Sequence, residues 1–151
     1  MKVIWKIIGV IGLLIAISLS GAVGRWIGKA SVDVFPVEAG EVVDTQRIAK
    51  VLNKNFPMMT NPETRIDSAI GLSKELLFKY TLINHTAADL TTQDVNELGK
   101  FYLNTVCTTK ELQLFVKNGI TISYAYFGKD GKPITVISVK PSQCGSKRRA
   151  D

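Results

Sequence analysis

Apolar positions follow three rhythms along this chain, and each rhythm predicts a different kind of element. The first is continuous. From Ile7 to Gly24 there is no charge and most residues are strongly apolar. Eighteen such residues make a helix about 27 Å long at ~1.5 Å per residue, close to the thickness of a bilayer's hydrocarbon core. The second rhythm is helical. In 41–54, Val43, Ile48, Val51 and Leu52 form an apolar stripe between charges. Asn55-Phe56-Pro57 ends it, because the residue before a proline disfavours helix. From Thr91 or Thr92 to about Thr105 or Cys107, the positions Val95, Leu98, Phe101, Tyr102 and Val106 make a second buried stripe. Thr108 with Glu111 three residues later fits a capping box, opening a short helix over 108–117 that Gly119 stops.

The third rhythm is alternation. Residues 75–84 place Leu76, Phe78, Tyr80 and Leu82 on one side and Leu77, Lys79, Thr81 and Ile83 on the other. Residues 63–70 read as a preceding strand, with a turn at Gly71-Leu72-Ser73. Ile120, Ile122, Tyr124 and Tyr126 alternate against Thr121, Ser123 and Ala125. Asp130-Gly131 is a hairpin signal, and 133–139 returns as a strand. Pro57 and Pro62 bracket Met58 and Met59 in a segment that is extended or turning. The order α-β-β-α-α-β-β predicts an α+β domain: a four-stranded antiparallel sheet with helices on one face. The organisation is then an anchor over 1–30, a linker over 31–40 broken by Pro36, a domain over 41–144 and a basic tail over 145–151.

The apolar N-terminal run has two readings. Lys2 and Lys6 before it, and small residues such as Ser18, Ser20 and Ala22, fit a cleaved signal peptide. An uncleaved membrane helix is favoured because the run exceeds a signal peptide's usual apolar core and Trp5 and Trp26 flank it at headgroup level. Gly12, Ala16, Ser20, Gly24 and Gly28 recur every four residues. Small residues at that spacing let two helices approach closely in lipid, so a helix contact with another envelope protein or a second copy is expected; glycine and alanine are also common in membrane helices without any such role.

Composition changes this picture in two respects. The net charge of +6 lies at the ends. Lys2, Lys6, Arg25 and Lys29 flank the apolar run, and Lys147, Arg148 and Arg149 lie in the tail. Between Ser31 and Ser146 there are twelve cations and twelve anions, so no nucleic-acid-binding face is expected. The cysteine count is two, Cys107 and Cys144, far from any CxxC spacing. In an exported domain they are expected to pair, stabilising the fold by about 4 kcal/mol in the chain-entropy model. In a cytoplasmic domain they would be two buried thiols.

Catalytic signatures are missing from the sequence. His85 is the sole histidine, and no Ser–His–Asp or Cys–His set can be built around it. There is no GxSxG, HExxH, phosphate-binding or GxGxxG pattern, and no zinc spacing. No cofactor, metal or catalytic residue is therefore assigned. Met58 and Met59 either fill the core beneath the sheet or form, with Phe56, an adaptable apolar surface bordered by Arg65 and Asp67.

The segments KNFPMMTNPETRID, FKYTLIN, VCTTKEL and NGITISYAYFGKDGKPI, followed by the final cysteine, resemble a group of small proteobacterial membrane-anchored envelope proteins. The resemblance spans about residues 50–144. The group has no assigned activity, so it implies a setting, the bacterial envelope, and no catalytic residues. Taken together, the expectation is a non-enzymatic interaction module. It would be single-pass in the inner membrane with its domain in the periplasm, as an accessory subunit or assembly factor of an envelope or secretion complex. A small-ligand or lipid-binding domain and a toxin-immunity protein are the alternatives.

Overall fold

The computed structural model describes residues 43–145. The anchor over 7–24, its small-residue row (Gly12, Ala16, Ser20, Gly24, Gly28), the linker over 31–40 and most of the tail fall outside the described residues. Among the described residues, no helix is long and apolar enough to cross a membrane.

The chain opens with helix α1 (Thr45–Leu52). Asp44 starts it, its carboxylate accepting from the backbone N–H groups of Gln46 and Arg47 at 3.0 and 3.1 Å. Asn53 ends it and is tied to the sheet: its amide donates to the Ala69 carbonyl at 2.8 Å and accepts from the Ala69 N–H at 2.7 Å. Strands β1 (Met58–Asn61), β2 (Thr64–Leu72) and β3 (Glu75–Leu82) follow as a meander. β1 was not expected as a strand. The two residues between it and β2, Pro62 and Glu63, form a tight turn held by Glu63 N–H donating to the Asn61 side chain at 2.8 Å.

A 17-residue helix, α2 (Thr92–Thr108), comes next. Of the two threonines expected to cap it, Thr91 does so, in a capping box that was not expected: Thr91 accepts from the Asp94 N–H, and Asp94 accepts from Thr91 N–H and hydroxyl, which lowers the Asp94 pKa. The box predicted at Thr108 and Glu111 does not form. Thr108 is the last residue of α2, and its hydroxyl donates back to the Asn104 carbonyl at 2.8 Å. The local bond inside the helix wins over capping a new one. A 3₁₀ turn (Lys110–Leu112) and a short helix α3 (Gln113–Lys117) follow instead. Gly119, at φ +71°, terminates α3 in the left-handed conformation that glycine adopts without strain. Strand β4 (Thr121–Gly128), strand β5 (Pro133–Val139) and helix α4 (Pro141–Gly145) complete the chain.

The domain is α+β, but the sheet has five strands in the order β1-β2-β3-β4-β5. It is not wholly antiparallel: β3 and β4 pair in parallel, Glu75 opposite Thr121 through Leu82 opposite Gly128. The reason is length. At ~1.5 Å per residue α2 spans about 25 Å, nearly the eight residues of β3 at ~3.3 Å each. The helix therefore returns the chain to the end where β3 began, and β4 runs alongside β3 in the same direction. That shared starting end, where β2 and β5 also finish, is called here the base of the sheet.

The register puts Leu76, Phe78, Tyr80 and Leu82 of β3 on one face beside Ile122, Tyr124 and Tyr126 of β4. The core lies here, closed by Ile48 and Ala49 of α1, Leu98, Tyr102 and Val106 of α2, and Leu112 and Phe115 beyond it. All four tyrosines of the chain are buried in this layer. Tyr102 of α2 stacks on Tyr124 with ring centroids 3.6 Å apart, and Tyr80 stacks on Tyr126 at 5.1 Å. The Tyr102 and Tyr126 hydroxyls hydrogen-bond to each other. Burial raises the pKa of all four hydroxyls, and for Tyr80, Tyr102 and Tyr124 the neighbouring tyrosines add to the rise.

Candidate functional site

Among the described residues, strand alternation leaves the other face of the sheet without helices, and it is built differently. Across its centre run small side chains. Ser123 of β4 hydrogen-bonds Ser138 of β5 at 2.8 Å, and Ala125 lies opposite Val136. Lys79 of β3 lays its ammonium over the Phe127 ring at 4.9 Å from the centroid, an arrangement that keeps both side chains along the sheet. Asp67, at an irregularity in the β2–β3 register, takes two bonds. It accepts from Arg65 Nε at 2.5 Å and from the Thr81 hydroxyl at 2.6 Å. These contacts staple β2 to β3 on the open face. Large apolar side chains between them are exposed: Ile70 and Leu72 near the base, and Val136 on the edge strand β5.

The residues proposed as a partner contact separate here. Met58 and Met59 lie on the edge strand β1, exposed at 44% and 45%, so they do not fill the core. Met59 is directly opposite Arg65 across the β1–β2 pair, and Met58 is opposite Ile66. Phe56 is half-buried and packs against the core cluster. Met59 and Arg65 therefore share a position on the open face, continuous with the Asp67 staple, while Phe56 belongs to the fold. Ile70, Leu72 and Val136 were missed in the sequence because each sits in an alternating strand that reads as half-buried. What exposes them is the placement of every large helix on the opposite side.

At the far end of the sheet from the base, His85 is less isolated than its loop suggested. Its Nε2 is 3.7 Å from Glu63 Oε2, both side chains being half-buried. The backbone around the pair is held by Ile83 N–H donating to the Glu63 carbonyl at 3.0 Å and Lys129 N–H donating to the His85 carbonyl at 2.8 Å. One imidazole and one carboxylate do not make a metal centre, and no group of three or more His, Cys, Asp or Glu able to hold a metal occurs among the described residues.

Cys107, near the end of α2, is joined to Cys144 of α4, with S–S 2.01 Å, Cα–Cα 5.1 Å and a sequence separation of 37. The bond ties the segment after β5 to the helix layer at the base. Gln113 reinforces the same corner by donating to the carbonyls of Val106 and Cys107 at 3.2 and 2.8 Å.

The open face thus presents exposed apolar side chains among charged ones. Comparisons with known proteins give a fold. No protein-family model matches the chain, and no curated protein matches it. Three solved structures do. A candidate secreted protein of Pseudomonas aeruginosa aligns with a TM-score of 0.58 at 14% identity, over 66% of this chain and 88% of that one. The type 2 secretion system pilotin EpsS of Vibrio vulnificus aligns with a TM-score of 0.55 at 12% identity, over 66% and 87%. The type II secretion system pilotin AspS of Vibrio cholerae aligns with a TM-score of 0.51 at 15% identity, over 66% and 88%. At these identities the likeness is one of fold.

Proposed function

We propose that this chain is a non-enzymatic, membrane-anchored interaction module serving as an accessory subunit or assembly factor of a bacterial secretion or envelope complex. The observation that carries the reading is the fold, which is that of two secretion-system pilotins. Two further features support it. The helix-free face exposes apolar side chains set among charged ones, a surface suited to a protein partner. The Cys107–Cys144 bond suits an oxidising compartment, which supports reading the domain as periplasmic, with the apolar N-terminal segment as its inner-membrane anchor.

The test is purification of the full chain from its native membrane in mild detergent without reductant, followed by identification of bound proteins and thiol labelling after denaturation. The expected result is a stoichiometric component of a secretion or envelope complex, and no free thiol. Recovery with lipid alone overturns the interaction role; two free thiols overturn the periplasmic placement.

A further inference from the structure

The base of the sheet gathers three features that bear on how the domain sits relative to its anchor. The first is apolar exposure. Ile70 and Leu72, at the end of β2, are exposed at 41% and 46% and lie beside the half-buried Leu77 on the helix-free face. The second is charge. Lys74, Lys110, Lys117 and Lys140 are exposed at this end, with Asp44, Glu75 and Glu111. Asp44 is engaged in capping α1. The sequence continues past Gly145 with Lys147, Arg148 and Arg149. The opposite end carries Glu63, Asp89, Asp94 and Asp130 against Lys129 and Lys132. Among these residues the base carries four cations against three anions and the far end four anions against two cations, so the base is the more positive end.

The third feature is where the chain enters. The Thr45 hydroxyl donates to the Leu72 carbonyl, and Gly71 lies so close to α1 that a Cβ there would be 2.2 Å from the Thr45 carbonyl oxygen. The first described residues therefore sit against the base, next to Ile70 and Leu72. Eighteen residues separate Gly24 from Val43, a distance of at most about 65 Å when fully extended. A bilayer anchoring residues 7–24 is then held within reach of this end at all times, which raises its effective concentration there.

We propose that the base of the domain, formed by Ile70, Leu72, Lys74 and Lys117, rests on an anionic phospholipid surface, fixing the domain with its acidic end pointing away from the membrane. This rests on the anchor reading above. Apolar side chains inserted at headgroup depth and lysines facing lipid phosphates are complementary to such a surface. Lys74 lies against the turn that follows Lys117: its Nζ is 3.9 Å from the position of a Cβ on Gly119, two residues after Lys117 in the chain. Ile70 and Leu72 project on the same side of β2, two residues apart.

The test uses the full chain, isotope-labelled, in nanodiscs of phosphatidylcholine with phosphatidylglycerol doped with a gadolinium-chelating lipid. Amide signals of 70–74 and 117–119 are expected to be broadened several-fold more than those of 61–63 and 85–89. The contrast is expected to shrink in phosphatidylcholine alone and at high salt, where exposed charges are screened. It is also expected to collapse in a Leu72→Ser/Lys74→Gln/Lys117→Gln variant but not in Lys129→Gln/Lys132→Gln. Uniform broadening, broadening at the acidic end, or protection of 70–74 only when a protein partner is added overturns the proposal while the anchor stands. A chain that fails to stay in the discs overturns both.

Discussion

The two faces of this sheet are made from the same strands, residue by alternate residue, yet they follow opposite rules. On β3 and β4 the register sets Tyr80 beside Tyr126 under the helices, and Lys79 beside Ala125 one residue earlier on the open side. The covered face is filled with large rings and aliphatic groups at close to zero exposure. The open face uses small residues, two hydrogen-bonded serines, a carboxylate shared by Arg65 and Thr81, and exposed apolar side chains at its margins. Stability is concentrated on the first face because only there is apolar area removed from water against closely packed neighbours. The second face is therefore free to vary with what it meets.

The largest separation between the faces should come from alkali. All four tyrosines belong to the covered face, and each has its pKa raised by burial. A hydroxyl whose folded pKa exceeds its unfolded value leaves stability intact below about pH 10, where both states are protonated. Above that, the unfolded chain ionises first, and stability falls as pH rises toward the folded values. Each tyrosine contributes up to about 1.4 kcal/mol per pH unit. Tyrosine absorbance near 295 nm and far-UV circular dichroism should change together in one cooperative step above pH 10. Gradual ionisation of the tyrosines with the fold intact would contradict this account of the core.

Single substitutions sharpen the contrast. Tyr124→Ala removes the ring stacked on Tyr102 and should cost about 3–5 kcal/mol. Val136→Thr, at 61% exposure on the open face, should stay within about 0.5 kcal/mol. Urea midpoints of the two variants measure the difference, and similar values would mean that the faces are not distinct in energy.

The disulfide tests whether the covered face closes without its covalent tie. Replacing both Cys107 and Cys144 with serine should cost about 4 kcal/mol by the chain-entropy model for a separation of 37. The loss should appear equally in oxidised buffer and in reductant, whereas the parent should weaken only in reductant.

The smallest effect concerns the seam between α1 and the sheet. Gly71→Ala would drive a methyl into the Thr45 carbonyl and must displace α1, at a cost of about 1–3 kcal/mol. Gly99 has open space at the corresponding position, so Gly99→Ala should be neutral or slightly stabilising in its helix. Equal responses at the two glycines would show that α1 is not seated as described.

Much of this fold is legible in local pattern. The alternation in 75–84 and 133–139, the capping residue Thr91 and the terminating Gly119 are short-range signals, because the bonds they make lie within a few residues. The apolar length of 7–24 and the cationic ends are equally direct properties of the sequence. What the tertiary structure alone decided is everything that depends on the return path of α2. Because that helix is as long as the strands, β4 lies parallel to β3, Tyr124 and Tyr126 of β4 meet Tyr102, and Cys107 is delivered to Cys144. The short β1 was hidden because four residues following a proline carry too little alternation to mark a strand, and its existence depends on pairing with β2. The exposure of Ile70, Leu72 and Val136 was hidden for a related reason. An apolar residue in a strand reads alike whichever face it takes, and only the packing of distant helices determines which face meets water.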